Sequence, residues 1–121
     1  RAEYQRTDIL LDAYPCPGGG MTCEALYMGV PVISRYGRRH GTRFGFSLLA
    51  NLGLAELAAD SEAGYVAAAV ALAKDRERLA GLHASLRCRM QESPLMDHAA
   101  YMRDLERGYE MIWDRWLKQP E

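Results

Sequence analysis

Three consecutive glycines, Gly18, Gly19 and Gly20, open the segment of this sequence whose residue types and spacing are best suited to chemistry. Glycines let a backbone approach a ligand closely, and the free amides and positive dipole end of a following helix attract phosphate. Thr22 has a hydroxyl that can donate to a phosphate oxygen. Glu24, about one helical turn later, can accept hydrogen bonds from sugar hydroxyls. The segment therefore predicts a nucleotide site, with donors for phosphates and an acceptor for a ribose.

The spacing of these glycines distinguishes the loop from two common phosphate-binding motifs. It is not the G-x-G-x-x-G fingerprint of dinucleotide-binding proteins, and no Gly-Lys-Ser/Thr follows, as a P-loop requires. A glycine turn between a strand and a helix is also often only a tight connection. The glycines by themselves therefore leave a purely structural role open.

The residues on both sides of the glycines predict a βαβ unit. Residues 8–12 read D-I-L-L-D, an apolar run bounded by carboxylates, which is typical of a buried parallel strand. A helix is predicted to open at Thr22 and to end near Gly29. The next predicted strand covers residues 30–33, with Pro31 near its beginning, where a missing donor is tolerated. The glycine loop should then lie at the carboxyl end of the first strand, where ligands bind in parallel sheets.

The rest of the chain is predicted to be mainly helical. A helix over residues 40 or 41 to 51 and a short strand over 54–58 complete the sheet layer. Helices follow over 60–73, 75–90 and 97–117, the last capped by Asp97. We therefore predict an α/β protein with a Rossmann-like parallel-sheet lobe over residues 1–92. A C-terminal helical tail over 93–121 is expected to pack on or across that lobe.

The predicted last helix has an apolar face that so small a lobe cannot readily cover. Its apolar residues recur at helical spacing: Tyr101, Leu105, Tyr109, Ile112, Trp113 and Trp116. Apolar patches of more than a few hundred Å² usually find partners. We expect this face to be exposed in the isolated chain or to mediate self-association.

A dense basic cluster follows the second predicted strand and comprises Arg38, Arg39, His40 and Arg43. Such loops gather at the carboxyl edge of a parallel sheet, so we expect His40 or Arg43 to reach a diphosphate or an acceptor. The alternative is a solvated basic helix start, or a structural salt bridge to Asp12 or Glu24.

Composition and charge exclude several other classes of function. The formal net charge is −1, so no overall basic field favours binding of nucleic acid. Cys16, Cys23 and Cys88 lack metal spacing and are odd in number, which favours reduced, buried thiols in a cytoplasmic protein. No apolar run approaches the roughly 20 residues that span a bilayer.

A metal site is also not expected. His83 and His98 lie in polar helical surroundings without partner ligands, and we expect both at the surface. The sequence Asp75-Arg76-Glu77 lies in a charged helix and not after a strand, unlike the D-x-D metal motif. Helix amides and basic side chains can instead offset the charge of a diphosphate, so no metal cofactor is predicted.

The pattern G-G-x-x-T-x-E-A-L-x-x-G-x-P-V-I is similar to the donor-binding motif of GT-B glycosyltransferases. Further segments extend the likeness over nearly the whole chain: D-I-L-L-D-A-Y-P, G-R-R-H-G-T-R-F-G-F-S-L-L, R-M-Q-E-S-P-L-M-D, and then Tyr101, Leu105, Glu106, Tyr109 and Trp113. Together they resemble the C-terminal end of the O-linked N-acetylglucosaminyltransferase and SPINDLY-like family. Members of that family typically carry tetratricopeptide repeats ahead of two Rossmann-like lobes.

The resemblance implies transfer of a sugar from a nucleotide donor, usually UDP-N-acetylglucosamine, to Ser or Thr hydroxyls of proteins. By motif position, Gly19, Gly20, Met21 and Thr22 surround the diphosphate, and Glu24 binds the ribose. Relatives commonly have threonines or a histidine where this chain has Gly20 and Met21, so two side-chain donors are missing here, and backbone amides can substitute for them.

The same resemblance leaves the donor and the function each with one alternative. It also implies that the catalytic residue and the acceptor groove lie outside these 121 residues. GDP-fucose is the alternative donor, and a non-catalytic interaction domain that retains the fold is the alternative function. No catalytic residue is expected within these 121 residues, and the acceptor groove is expected in an N-terminal lobe. The chain alone, beginning at Arg1, is therefore expected to be an inactive C-terminal part of a longer enzyme.

Overall fold

The computed structural model of the chain describes residues 3–118. Its centre is a three-stranded parallel sheet with the strand order β1-β2-β3, formed by Leu10–Leu11, Val32–Arg35 and Ala58–Ala59. Leu10 pairs with Val32, and Ser34 pairs with Ala58. The predicted α/β class with a parallel sheet is confirmed.

Within residues 3–118, five α-helices surround and extend this sheet. They are α1 (Gly20–Tyr27), α2 (Phe44–Asn51), α3 (Glu62–Lys74), α4 (Arg76–Glu92) and α5 (His98–Leu117). Short 3₁₀ turns cover Tyr4–Arg6, His40–Thr42, Ala55–Leu57 and Pro94–Met96. Helix α1 packs on α4, while α2 and α3 pack on the strands.

Side-chain caps fix the beginnings of the last three helices. Ser61 accepts a hydrogen bond from the amide of Gly64, Asp75 from that of Arg78, and Asp97 from that of Ala100. Each cap satisfies an amide that the first helical turn leaves without a partner. These are the positions at which local sequence alone predicts a helix start.

The starts of β2 and α2 differ from the predictions, because a proline lacks an N–H group and a threonine side chain bonds to the backbone. Strand β2 begins at Val32 and not at residue 30, since Pro31 has no N–H and contributes only its carbonyl, which accepts from Leu10. The helix predicted from residue 40 begins at Phe44. Before it, the Thr42 hydroxyl accepts from the amide of Gly37 and donates to the carbonyl of Arg39, which favours a turn.

The third strand is also shorter than predicted. Over residues 54–58 we predicted a strand, but Ala55–Leu57 form a 3₁₀ turn and only Ala58–Ala59 pair with β2. At the other end of the glycine loop, α1 begins at Gly20, two residues before the predicted start at Thr22. Of the predicted ranges 1–92 and 93–121, residues 1, 2 and 119–121 lie outside the described residues.

The hydrophobic core lies between the sheet and helices α1 to α4. Its fully buried members include Leu26 of α1, Val32 and Ile33 of β2, Leu49 of α2 and Leu86 of α4. No residue of α5 is buried. The helical tail therefore contributes little to the core that stabilises the lobe.

Helix α5 presents its apolar side chains to solvent. The exposed large apolar residues on it are Tyr101, Met102, Tyr109, Met111, Ile112, Trp113, Trp116 and Leu117. The indole rings of Trp113 and Trp116 stack with centroids 5.1 Å apart. The predicted exposure of this face is therefore observed.

Among the described residues, no helix has the length and apolar character needed to cross a membrane.

Candidate functional site

The glycine loop connects β1 to α1 at the carboxyl end of the first strand. Gly19 is the N-cap residue of α1 and has a positive φ of 52°, a conformation that favours glycine. Gly18, Gly20 and Met21 are exposed, and the side chain of Met21 is 64% exposed. The loop therefore lies open at the edge of the sheet where parallel α/β proteins bind ligands.

A buried carboxylate lies beneath this loop. Asp12, directly after β1, is only 4% exposed, and its Oδ1 accepts hydrogen bonds from the Gly18 amide at 2.7 Å and the Thr22 hydroxyl at 3.2 Å. Its Oδ2 accepts from the Ser34 hydroxyl at 3.0 Å. Sequence reasoning considered Asp12 only as a salt-bridge partner of the basic cluster. The signal it carried was its position at the end of a predicted strand, immediately before a glycine loop.

Thr22 occupies a different position from the one we expected. Its side chain is fully buried, and its hydroxyl donates to Asp12. A hydroxyl has one proton to donate, and here the carboxylate receives it. This arrangement differs from the predicted phosphate contact because an ionised acceptor already lies within the protein at hydrogen-bond distance.

The backbone of the loop supplies the remaining donors. The Met21 amide bonds to the Gly18 carbonyl at 3.1 Å, and the Cys23 amide bonds to the Gly19 carbonyl at 2.9 Å. Within residues 3–118, the amides of Gly19 and Gly20 have no hydrogen-bond partner. Two amide donors without a partner at the positive end of a helix can bind an anion.

Glu24 lies on the exposed side of α1. The Tyr4 hydroxyl donates to its Oε2 over 3.4 Å, a weak contact. Burial raises the pKa of Tyr4, and the charge of Glu24 and this hydrogen bond raise it further. The carboxylate retains acceptor capacity for a hydroxyl of a ligand.

The basic cluster follows β2 at the same edge. Arg43 donates to the Gly37 carbonyl at 3.1 Å, and its guanidinium lies 5.2 Å from the ring centroids of both Tyr36 and Phe46. Arg43 is therefore engaged in holding the loop after β2. In the described part of the chain it forms no salt bridge with Asp12 or Glu24.

The other basic residues of this cluster are more available. Arg38, Arg39 and His40 are exposed, and the His40 ring packs edge-on against Phe44 at 5.4 Å. His40 and Arg43 share a surface pocket of about 430 Å³ with residues of α2. Of the two predicted contacts, the geometry leaves His40 free to turn toward a ligand.

The loops after β1 and β2 touch each other. The Arg35 guanidinium lies 4.2 Å from the centroid of the Tyr14 ring, and its Nη1 lies 3.6 Å from the Glu62 carboxylate. A side chain at Gly37 would come within 3.1 Å of the Tyr14 hydroxyl. The glycine loop and the basic cluster thus belong to one continuous edge of the sheet.

The residues that could bind a metal, and the cysteine thiols, lie apart from this edge of the sheet or from one another in the described part of the chain. Within residues 3–118, no three His, Cys, Asp or Glu residues are grouped to hold a metal ion. All three cysteines are free, and Cys23 is partly buried. Cys16 and Cys88 are exposed, so the expectation that they are buried is wrong. His83 is half-buried, with its Nε2 2.9 Å from the Asp8 carbonyl oxygen, while His98 is exposed as expected.

Comparison with known proteins places this fold and loop in a family. The sequence pattern of glycosyl transferase family 41 matches residues 2–105. A protein from Eustoma exaltatum subsp. russellianum named as a probable UDP-N-acetylglucosamine–peptide N-acetylglucosaminyltransferase SPINDLY is 44% identical over 95% of this chain. The UDP-N-acetylglucosamine–peptide N-acetylglucosaminyltransferase of Caenorhabditis elegans is 30% identical over 93% of it.

A solved structure agrees with both sequence comparisons. A K341M mutant of the Thermobaculum terrenum O-GlcNAc transferase matches 93% of this chain with a TM-score of 0.85 and 34% identity. This likeness confirms the predicted assignment to a lobe of a GT-B fold. The chain spans 22% of that protein and 12% of the Eustoma relative. On the match over residues 2–105, the chain belongs to glycosyl transferase family 41.

Proposed function

We propose that this chain is the donor-nucleotide-binding part of a glycosyltransferase that transfers N-acetylglucosamine from UDP-N-acetylglucosamine to Ser or Thr residues of proteins. The observation that carries the proposal is the open glycine loop, whose Gly19 and Gly20 amides have no partner within residues 3–118. The names of the relatives support the donor and the peptide acceptor. Because the chain spans 12% of the Eustoma relative, the activity belongs to a whole enzyme.

Each part of the edge has a role in this proposal. The loop from Gly18 to Met21 surrounds the diphosphate, with Thr22 buried beneath it, and Glu24 accepts from the ribose hydroxyls. His40 approaches the diphosphate from the basic cluster, while Arg43 holds that loop in place. Amides fixed before the reaction stabilise the charge that develops on the leaving diphosphate.

A binding titration on the full-length polypeptide tests the proposal. UDP, GDP, uridine and inorganic pyrophosphate are titrated by calorimetry into the wild type and into Glu24→Ala. We expect UDP to bind more tightly than GDP, and Glu24→Ala to weaken UDP and uridine more than pyrophosphate, since only nucleosides offer ribose hydroxyls. Glu77→Ala is the matched control, because Glu77 is an exposed carboxylate in the first turn of α4 that forms no salt bridge among the described residues.

The outcomes separate the proposal from its alternatives. Equal losses for UDP and pyrophosphate with Glu24→Ala contradict the ribose contact. A preference for GDP favours the fucose donor. A folded wild type that binds none of the four ligands favours a non-catalytic interaction domain.

We also propose that the reaction needs no metal ion. Loop amides and the basic cluster supply the positive charge that a cation would otherwise provide. Transferase activity of the full-length enzyme is measured before and after exhaustive treatment with EDTA. We expect activity to persist, whereas loss of turnover that Mg²⁺ or Mn²⁺ restores contradicts this part of the proposal.

The catalytic base and the acceptor groove belong, in this proposal, to the part of the enzyme beyond these residues. The isolated 121-residue chain should then bind UDP weakly and transfer no sugar. A cytoplasmic location remains a prediction, which cell fractionation tests.

We propose in addition that the isolated chain self-associates through α5. Trp113 and Trp116 are 59% and 60% exposed and stacked together, and Ile112 beside them is 65% exposed. Sedimentation velocity should show a dimer that Trp113→Glu dissociates and Val66→Glu does not. Val66 is the matched control because it is 53% exposed on α3, away from this face. A wild-type monomer at high concentration contradicts the proposal.

A further inference from the structure

A buried negative charge lies directly beneath a loop for which we propose an anionic ligand. The Asp12 carboxylate accepts hydrogen bonds from three donors. The donors are the Gly18 amide, the Thr22 hydroxyl of α1 and the Ser34 hydroxyl of β2. A carboxylate that accepts several hydrogen bonds holds its donors in fixed positions, because bonds to an ionised acceptor are stronger than neutral ones.

Two further elements hold Asp12 itself. On one side, α2 approaches so closely that a side chain at Gly45 would collide with the Asp12 carboxylate and with the Ser34 side chain. On the other, the Tyr65 hydroxyl of α3 donates to the backbone carbonyl of Asp12 at 3.0 Å. Asp12 is thus fixed at both its side chain and its main chain by β2, α2 and α3.

We infer that Asp12 is a positioning residue for donor binding. Its carboxylate fixes Gly18 and the first turn of α1, so that the Gly19 and Gly20 amides between them are held ready for the diphosphate. Thr22 acts within this anchor and does not donate to a phosphate. The inference rests on the proposed function, because it assigns the ligand that the loop is prepared to hold.

The physical reason is the flexibility of glycine. Three consecutive glycines lose more conformational entropy than other residues when a ligand orders them. A loop that the protein has already ordered loses less on binding, so its affinity for the ligand is higher. Removal of the anchor should therefore weaken the diphosphate contacts and leave the nucleoside contacts on α1 largely intact.

A double-mutant cycle on the full-length polypeptide tests this inference. UDP and uridine are titrated by calorimetry into the wild type, Asp12→Ala, Asp12→Asn, Thr22→Val and the double variant Asp12→Ala with Thr22→Val. We expect Asp12→Ala to weaken UDP roughly tenfold or more and uridine by less than about twofold, a difference confined to the phosphates. Asp12→Asn retains one oxygen for Gly18 and Thr22 and should restore most of the affinity.

The cycle also separates the two roles of Thr22. If the Thr22 hydroxyl acts only through Asp12, Thr22→Val weakens UDP in the wild type and adds no further loss in the Asp12→Ala variant. Equal losses in both backgrounds show a direct contact of Thr22 with the phosphate and overturn the inference. An unchanged UDP affinity in Asp12→Ala, or equal losses for UDP and uridine, also overturns it.

Hydrogen exchange of the unliganded proteins provides a readout that does not depend on UDP. Peptides covering residues 13–24 should exchange faster in Asp12→Ala than in the wild type and at an intermediate rate in Asp12→Asn. If Asp12→Ala does not fold, Asp12→Asn and Thr22→Val are compared with the wild type instead. Exchange of residues 13–24 at the wild-type rate in both variants then overturns the inference. A separate outcome contradicts the proposed function. If residues 13–24 exchange more slowly in the wild type than in Asp12→Ala but the wild type does not bind UDP, the loop is anchored and the ligand assigned to it is wrong.

Discussion

The glycine loop and helix α5 present opposite kinds of surface to solvent, although an aspartate accepts a hydrogen bond from a backbone amide in both. The loop has backbone amides without a partner, and beneath it the buried carboxylate of Asp12 accepts hydrogen bonds from three donors. Helix α5 exposes aromatic side chains, and the hydrogen bond of Asp97 to the Ala100 amide fixes its beginning. An exposed backbone over a rigid anchor suits a small anionic ligand, whereas an exposed apolar face suits a macromolecular surface.

The largest expected contrast concerns apolar burial in the two regions. Leu26 of α1 is fully buried behind the glycine loop, while Leu117 of α5 is 59% exposed. Leu26→Ala should lower the free energy of unfolding by about 2–5 kcal/mol, and Leu117→Ala should change it by less than about 0.5 kcal/mol. Denaturation followed by circular dichroism measures both, because the tryptophans lie in α5 and do not report on the core. Similar losses would show that α5 shares the core.

The second contrast uses one substitution, glycine to alanine, in the two regions. Gly45→Ala places a methyl group against Asp12 and Ser34 and should cost about 1–3 kcal/mol. Gly108→Ala in α5 meets no atom within 4 Å and should stabilise the helix by about 0.5–1 kcal/mol. Thermal unfolding measures both effects: relative to the wild type, the melting temperature should fall for Gly45→Ala and rise for Gly108→Ala. A stabilising Gly45→Ala would show that α2 does not pack against the anchor.

The smallest expected effect concerns alkaline pH. Burial raises the pKa of Tyr65 above its usual value of 10.0, and the nearby Asp12 charge raises it further. The folded protein therefore retains this proton to higher pH than the unfolded chain, so its contribution to stability is complete below about pH 10 and declines above it. Between pH 8 and 11, the free energy of unfolding should fall less steeply with pH for Tyr65→Phe than for the wild type.

Tyr109→Phe is the matched control for that measurement. Tyr109 is 65% exposed on α5, so Tyr109→Phe removes the same phenol hydroxyl from a position outside the core and shows the effect of the substitution by itself. Identical slopes for the wild type and Tyr65→Phe would contradict the assigned environment of Tyr65.

Local sequence predicted the elements of this fold well where the signal lies in neighbouring residues. Asp97 was recognisable as a helix cap because a cap bonds to an amide only three residues away. The apolar face of α5 followed from helical spacing alone. The start of α2 was predicted too early, because Arg43 bonds to the Gly37 carbonyl and stabilises a turn that periodicity does not encode.

What the sequence by itself determined is the order of strands and helices, the glycine loop after β1 and the resemblance to the family. Only the tertiary structure decided the neighbours of Asp12, which are separated from it by 10, 22 and 53 positions at Thr22, Ser34 and Tyr65. The physical reason is that caps and periodicity are properties of consecutive residues, whereas a buried carboxylate bonds to donors that packing brings from other elements. For the same reason, the burial of Thr22 and the hydrogen bond from its hydroxyl to Asp12 follow from tertiary packing and not from the sequence pattern.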